Sequence, residues 1–243
     1  VDAVEAAATM DFAAGMKRER ELFRSLLDSP QRAALIHAFF AERKVSKLPE
    51  LHGIMARHIA EVGIVGGGTM GAGIAVSCLL NGLDVTLIER NEDAATQATT
   101  TVTRLLDDSL RRGKLTKAKQ DSILADDFRT ATKYQALNNA DLIIEAVFES
   151  MDVKRDVFQK LDAECKSGAI LASNTSYLDL NEIAAITNRP QDVIGLHFFS
   201  PAHVMKLLEV VVPDATAPDV VATGFALAKK LGKVAVRAGV CDG

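Results

Sequence analysis

No apolar run in these 243 residues approaches the ~20 that a membrane-crossing helix needs, and Leu79–Leu80 belong to a short amphipathic stretch. Cysteine is scarce. Cys78, Cys165 and Cys241 are scattered, without C-x-x-C spacing or a neighbouring histidine, which argues against a disulfide framework or a metal site and suits idle thiols in a reducing compartment. Excess positive charge is also missing: the formal net charge is −4, so no nucleic-acid surface is expected. There is no internal repeat and no low-complexity segment. No secretory leader and no initiator methionine precede Val1, and the chain stops at Asp242–Gly243 directly after an expected strand, so both ends read as cuts through a longer polypeptide.

The content, 48% hydrophobic and 25% charged, suits one α/β domain with an appendage, or two small domains. Residues 1–55 read as a helical segment. Leu22, Phe23, Leu26 and Leu27 form an apolar stripe at helical spacing, and Ser29-Pro30 reads as an N-cap followed by proline at the first helical position. A second helix runs to about Arg43 before Lys47-Leu48-Pro49 breaks it, and His37 reads as packed or capped, not as a ligand. Residues 56–243 change period. Strands are expected at Ile59–Val65, Val85–Ile88, Leu142–Val147, Ala169–Ala172 and Val193–Phe199, alternating with helices at Thr69–Asn81, 92–112, Val153–Cys165 and Leu178–Ile186. A polar helical stretch is expected at Lys117–Leu124. Such alternation predicts a doubly wound, mostly parallel sheet. The link between Phe199 and Lys206 is too short for a parallel crossover, so Lys206–Val212 is expected to return antiparallel beside Val193–Phe199. A helix at Ala217–Leu231 and a strand at Lys233–Val236 follow.

Gly66-Gly67-Gly68-Thr69-Met70-Gly71 fits G-x-G-x-x-G, and it follows a hydrophobic strand and opens a helix, the context of a Rossmann dinucleotide site. Gly66 permits the tight turn, Gly68 the approach of a pyrophosphate and Gly71 close helix–strand contact, while the helix N-terminus receives the phosphates. Glu89 ends the second strand 18 residues after Gly71, where a carboxylate accepts hydrogen bonds from ribose hydroxyls and repels a 2′-phosphate. That favours NAD over NADP, although the adjacent Arg90 weakens the inference. FAD, or a glycine turn and surface glutamate without a ligand, remain alternatives.

Three further features fall at carboxyl ends of strands. Ser173-Asn174-Thr175-Ser176 offers hydroxyl and amide groups, but equally suits a turn and helix N-cap. His197 lies in Gly195-Leu196-His197-Phe198-Phe199-Ser200-Pro201, and Glu209 sits among Leu207, Leu208, Val210 and Val211. A carboxylate in such a strand is costly without a partner. In an antiparallel pair Glu209 can lie beside His197, fix its tautomer and raise the basicity of its other nitrogen, as proton removal from a secondary alcohol requires. An exposed glutamate and a structural histidine are the bland alternative.

Together, the glycine fingerprint, Asn174-Thr175-Ser176 and His197-Phe198-Phe199-Ser200-Pro201 followed by Met205-Lys206-Leu207-Leu208-Glu209-Val210 resemble the 3-hydroxyacyl-CoA dehydrogenase family from about His58 to Gly243. Ala38-Phe39-Phe40-Ala41-Glu42-Arg43 resembles the linker between the enoyl-CoA hydratase and dehydrogenase parts of multifunctional β-oxidation proteins. The resemblance implies NAD-dependent oxidation of an L-3-hydroxyacyl-CoA without a metal. It implies His197 as base, Glu209 as its partner and Ser176 on the substrate oxygen. Ala146, Glu149, Lys154 and Asn174 then belong to the cofactor side, with Glu149 and Lys154 matching positions near the nicotinamide and its ribose. Taken alone, Glu149 and Lys154 also suit a charge pair on the surface at a helix start. The implied partners are the acyl-CoA substrate, neighbouring hydratase and C-terminal dehydrogenase domains, and a thiolase subunit. The implied compartment is bacterial cytoplasm, with a peroxisome or mitochondrion as the alternative. Ser200 stands where many single-function relatives carry asparagine, and the family's helical C-terminal domain, which supplies an active-site asparagine, has no counterpart here. The chain is therefore also readable as an NAD-binding module with little turnover by itself.

Overall fold

The computed structural model of the chain describes residues 1–45 and 47–241, so the ending at Asp242–Gly243 lies outside the described residues. The chain divides into two compact units after Lys47. The first contains α1 (Asp2–Thr9), α2 (Phe12–Leu27) and α3 (Pro30–Val45). Ser29 Oγ accepts the Arg32 amide at 3.2 Å and Pro30 opens α3, as the Ser-Pro pair predicts. His37 is exposed, contrary to the packed position expected from its neighbours. Within these helices only Ala6 is buried, so the unit has no core for a histidine to enter, and Leu35, Phe39 and Phe40 are exposed with it.

The second unit begins with a short turn at Pro49–Leu51 and continues through β1 (Glu61–Val65), α4 (Thr69–Leu80), β2 (Asp84–Ile88), α5 (Glu92–Arg111), α6 (Lys117–Ser122), β3 (Phe128–Ala131), β4 (Leu142–Glu145), α7 (Met151–Glu164), β5 (Ile170–Ser173), α8 (Leu180–Ala185), β6 (Val193–Phe198), β7 (Leu207–Val212), α9 (Pro218–Lys230) and β8 (Val234–Gly239). The strands form an eight-stranded sheet in the order β3-β2-β1-β4-β5-β6-β7-β8. Pairing is parallel from β3 to β6, antiparallel between β6 and β7, and parallel again between β7 and β8. The doubly wound sheet with its antiparallel return is the one the alternation and the short link predict. β3 is an addition. It is a four-residue edge strand with Phe128 buried and Arg129 exposed, too short and too polar to show a period.

Helices cover both faces, so the central strands are mostly apolar, with Glu145 and Ser173 the buried polar residues at the ends of β4 and β5. Alternate residues divide between two cores, as strand geometry requires. Ile64, Leu87, Ile144 and Ala172 pack with Ile74, Leu79, Val102, Leu106 and Leu227, whereas Val65, Ile88, Ile143 and Leu171 pack with Phe158, Leu161 and Ile183. Each of the Val, Leu, Ile and Phe side chains contributes roughly 1.5–3 kcal/mol by leaving water. α4 is buried continuously from Gly71 to Leu79, which explains a helix with no polar face. The entry segment 48–57, much of it assigned from the sequence to the helical segment 1–55, is fastened to this unit. Glu50 accepts from Arg237 at 2.6 Å, and Arg57 donates to Asp192 at 2.7 Å, to Asp219 at 2.8 Å and, through its amide, to Thr223 Oγ1 at 2.8 Å.

Cys78 and Cys165 are buried and Cys241 is exposed. Burial pushes the two inner thiols up, to about 12 and about 11 respectively. A thiol reagent such as Ellman's should therefore titrate one cysteine in the native protein and all three after denaturation. Rapid labelling of Cys78 in the native state would contradict this packing.

Candidate functional site

Strand order reverses between β1 and β4, and α4 and α7 leave these neighbouring strands toward opposite faces. A crevice must open there, beyond the carboxyl ends of the strands. It is a cleft of roughly 1510 Å³, walled by Gly66, Gly68, Thr69 and Met70 after β1, Glu89 and Arg90 after β2, and Ala146 to Phe148 after β4. Ser200, Pro201 and His203, from the loop after β6, close another side.

The glycines differ in what they permit. Gly66 has φ +97°, and a Cβ there would stand 2.8 Å from the Ala146 carbonyl oxygen. A Cβ on Gly71 would stand 1.8 Å from the Gly66 carbonyl oxygen, so helix and strand end are in backbone contact. Gly68 has nothing within 4 Å of that position. Its open face lies on the cleft wall at the N-terminus of α4, which has no side-chain cap and no acidic residue in its first turn. Unopposed helix amides beside a residue lacking Cβ are suited to a pyrophosphate. Glu89 Oε1 accepts the Gly67 amide at 2.6 Å and Oε2 accepts the Arg90 amide at 3.0 Å. The carboxylate is thus fixed at the end of β2, with oxygen lone pairs left for hydroxyl donors. These residues fit a dinucleotide.

A second group lies at the ends of β4, β5 and β6. His197 faces Glu209 directly in the antiparallel register, with His197 Nδ1 2.8 Å from Glu209 Oε2. A carboxylate at Nδ1 makes that nitrogen the donor and leaves the lone pair on Nε2. The His197 ring also contacts Phe199, centroids 4.6 Å apart, and the chain runs on to Ser200 in the cleft wall. Lys154, 1% exposed, donates to Glu145 Oε1 at 2.8 Å and Oε2 at 2.9 Å, and its ammonium is 3.1 Å from Glu149 Oε2. Glu149 Oε1 accepts the Thr175 hydroxyl and, at 2.8 Å, the Ser176 amide. Burial raises the Glu149 carboxyl, but the bonds from Thr175 and Ser176 and the Lys154 charge outweigh it and hold the group below the usual carboxylate range. Asn174 Oδ1 accepts the Phe198 amide at 2.8 Å, joining this loop to the strand of His197.

Every fingerprint position except Gly71 lies on the cleft wall; Gly71 is packed against Gly66 instead. Lys154 is buried and Glu149 half-buried against it, so the two are not the surface pair that a helix start would suggest. Sequence reasoning noted Ser173 and Thr175 only as part of the 173–176 cluster and passed over Glu145, although a glutamate closing the apolar run Leu142–Ile144 signals a buried partner in the same way as Glu209. It also passed over His203, which lines the cleft. Burial, followed by the positive charges of Arg112 and Lys233, holds the His203 imidazole below its ordinary value.

Gly68→Ala should fold with stability within about 1 kcal/mol of wild type, since the space is open, yet bind NADH more weakly. Gly71→Ala should cost about 3 kcal/mol or more, because backbone blocks the methyl group. Melting curves and NADH fluorescence titrations on both variants check the contrast. Glu89→Ala should weaken NADH binding by about 1–2 kcal/mol, the scale of hydrogen bonds to a charged group. An unchanged dissociation constant would remove Glu89 from the site.

Residues 61–241 match the family described as 3-hydroxyacyl-CoA dehydrogenase, NAD binding domain. The chain is 43% identical over 248 residues to the peroxisomal bifunctional enzyme of Cavia porcellus, covering 100% of this chain and 34% of that protein. It is 42% identical, with the same coverage, to the Homo sapiens enzyme of that name. It thus spans about a third of the length of these curated relatives. Among solved structures, the (S)-3-hydroxybutyryl-CoA dehydrogenase of Ralstonia eutropha is similar with a TM-score of 0.73 and 37% identity, over 76% of this chain and 65% of that one. The dehydrogenase part of multifunctional enzyme 1 from C. elegans gives 0.69 and 32%, over 78% and 43%. Fingerprint, sheet order, paired histidine and matched length together place the chain in the NAD-binding domain family of the 3-hydroxyacyl-CoA dehydrogenases.

Proposed function

We propose that the protein oxidises an L-3-hydroxyacyl-CoA to the 3-ketoacyl-CoA with NAD, as a step of fatty-acid β-oxidation. The observation that carries this is the His197–Glu209 pair, 2.8 Å apart on a strand that runs into the dinucleotide cleft. Removing a hydride from C3 of the substrate requires that its hydroxyl proton leave as well. With Nδ1 donating to Glu209, His197 Nε2 takes that proton, and the Glu209 carboxylate stabilises the imidazolium that forms. Positioned bases of this kind contribute about 10²–10⁴-fold to rate. Bound NAD supplies the hydride acceptor. The Ser176 hydroxyl donates to the substrate oxygen, while Lys154 and Glu149 stand on the nicotinamide side. The relatives are named as bifunctional and multifunctional proteins, which supports a place in a longer chain; a neighbouring hydratase, with the first unit as its linker, rests on the sequence resemblance. The relatives' names also favour a peroxisome over the bacterial cytoplasm to which the sequence alone pointed. A thiolase partner rests on the sequence resemblance alone.

The test is NADH oxidation by acetoacetyl-CoA, followed at the nicotinamide absorbance, with NADH binding measured on the same sample. Turnover supports the reading. Binding without turnover in this chain favours the module alternative, in which residues beyond it complete the site. In the full-length protein His197→Gln should lower kcat by about 10²-fold or more while NADH affinity stays within about threefold. Near-normal turnover would sink the assignment of His197 as base.

A further inference from the structure

We infer that Glu145 is a positioning residue: its buried carboxylate, acting through Lys154 and Ser173, fixes the 174–176 loop from which Ser176 meets the substrate. This rests on the reading of Ser176 proposed above.

Glu145 is completely buried, and all four bonds to its carboxylate come from groups around one corner of the sheet. Oε1 accepts from Lys154 at 2.8 Å and from the Val147 amide at 2.7 Å; Oε2 accepts from Lys154 at 2.9 Å and from the Ser173 hydroxyl at 2.6 Å. Two routes then converge on the loop. Lys154 holds Glu149, which accepts from Thr175 and from the Ser176 amide. Ser173 Oγ accepts the Thr175 amide at 3.2 Å, and the Glu145 carbonyl accepts the Asn174 amide at 2.8 Å. The bonds form a closed ring through Glu145, Lys154, Glu149, Thr175 and Ser173. Stability alone is a weak reason for such a ring, because a buried ion pair replaced by well-packed apolar residues is often neutral or better. Precise placement is a stronger one: a displacement of about 1 Å at a reacting group can cost on the order of a hundredfold in rate.

Glu145→Gln keeps the shape and removes the charge. In the full-length protein it should lower kcat for 3-hydroxybutyryl-CoA by about tenfold or more and leave KM within about threefold. Because Glu145 acts partly through Lys154, the same substitution in a Lys154→Met background, where only the Ser173 route remains, should lower kcat by a clearly smaller factor than in wild type. Equal losses in both backgrounds, or an unchanged kcat, would overturn the inference. Should Glu145→Gln fail to fold, Glu145→Leu with Lys154→Met replaces the pair by apolar groups. That variant should fold and show the same loss, and wild-type turnover in it would be equally fatal. Amide exchange of Thr175 and Ser176, read by NMR, should rise about tenfold in Glu145→Gln, and unchanged exchange would refute the positioning role. This readout needs no substrate. A wild type inert toward hydroxyacyl-CoA would therefore defeat the proposed function while exchange still decides the role of Glu145.

Discussion

The first turn of α4 rests on the end of β1 with no room for a side chain between them, and the rest of the functional edge follows from that contact. A Cβ at residue 71 would overlap the Gly66 carbonyl, so only glycine lets the helix start this close to the strand. Starting there, the helix points its uncapped amides at the gap between β1 and β4, where the connections diverge to opposite faces. The cleft is therefore a consequence of topology, and its affinity for phosphate a consequence of helix termini.

The other half of the site depends on a change of strand direction. Six strands, β3 to β6 in sheet order, run parallel, and β7 returns against the last of them. An antiparallel return sets residues opposite one another in pairs, and here the pair is a histidine and a carboxylate. Parallel β4 and β5 contribute in another way. They end side by side at Glu145 and Ser173, so that the loops beyond them share one buried set of charges.

Much of this is readable from residues alone where a rule of chain geometry applies. The glycine spacing declares itself through its context between strand and helix. The pairing of Glu209 with His197 follows from a link too short for a crossover. What escapes the sequence is long-range satisfaction. Nothing local tells Glu145 that Lys154, one helical turn into α7, will meet it with both carboxylate oxygens engaged. β3 escapes because four residues at a sheet edge carry no usable period. His37 misleads for the opposite reason: apolar neighbours in sequence imply a core only where enough chain surrounds them to build one.

Burial of Lys154 has one more consequence. Acyl thioesters acylate free amines without any enzyme, so a protein that processes acyl-CoA exposes its own lysines to slow damage by its substrate. Surface lysines such as Lys160, paired with Asp156 in solvent, stand open to that aminolysis. The Lys154 amine, 1% exposed and enclosed by two carboxylates, has no path to a thioester carbonyl. Among the described residues Lys154 is the one fully buried lysine, and its burial withholds it from the proposed substrate.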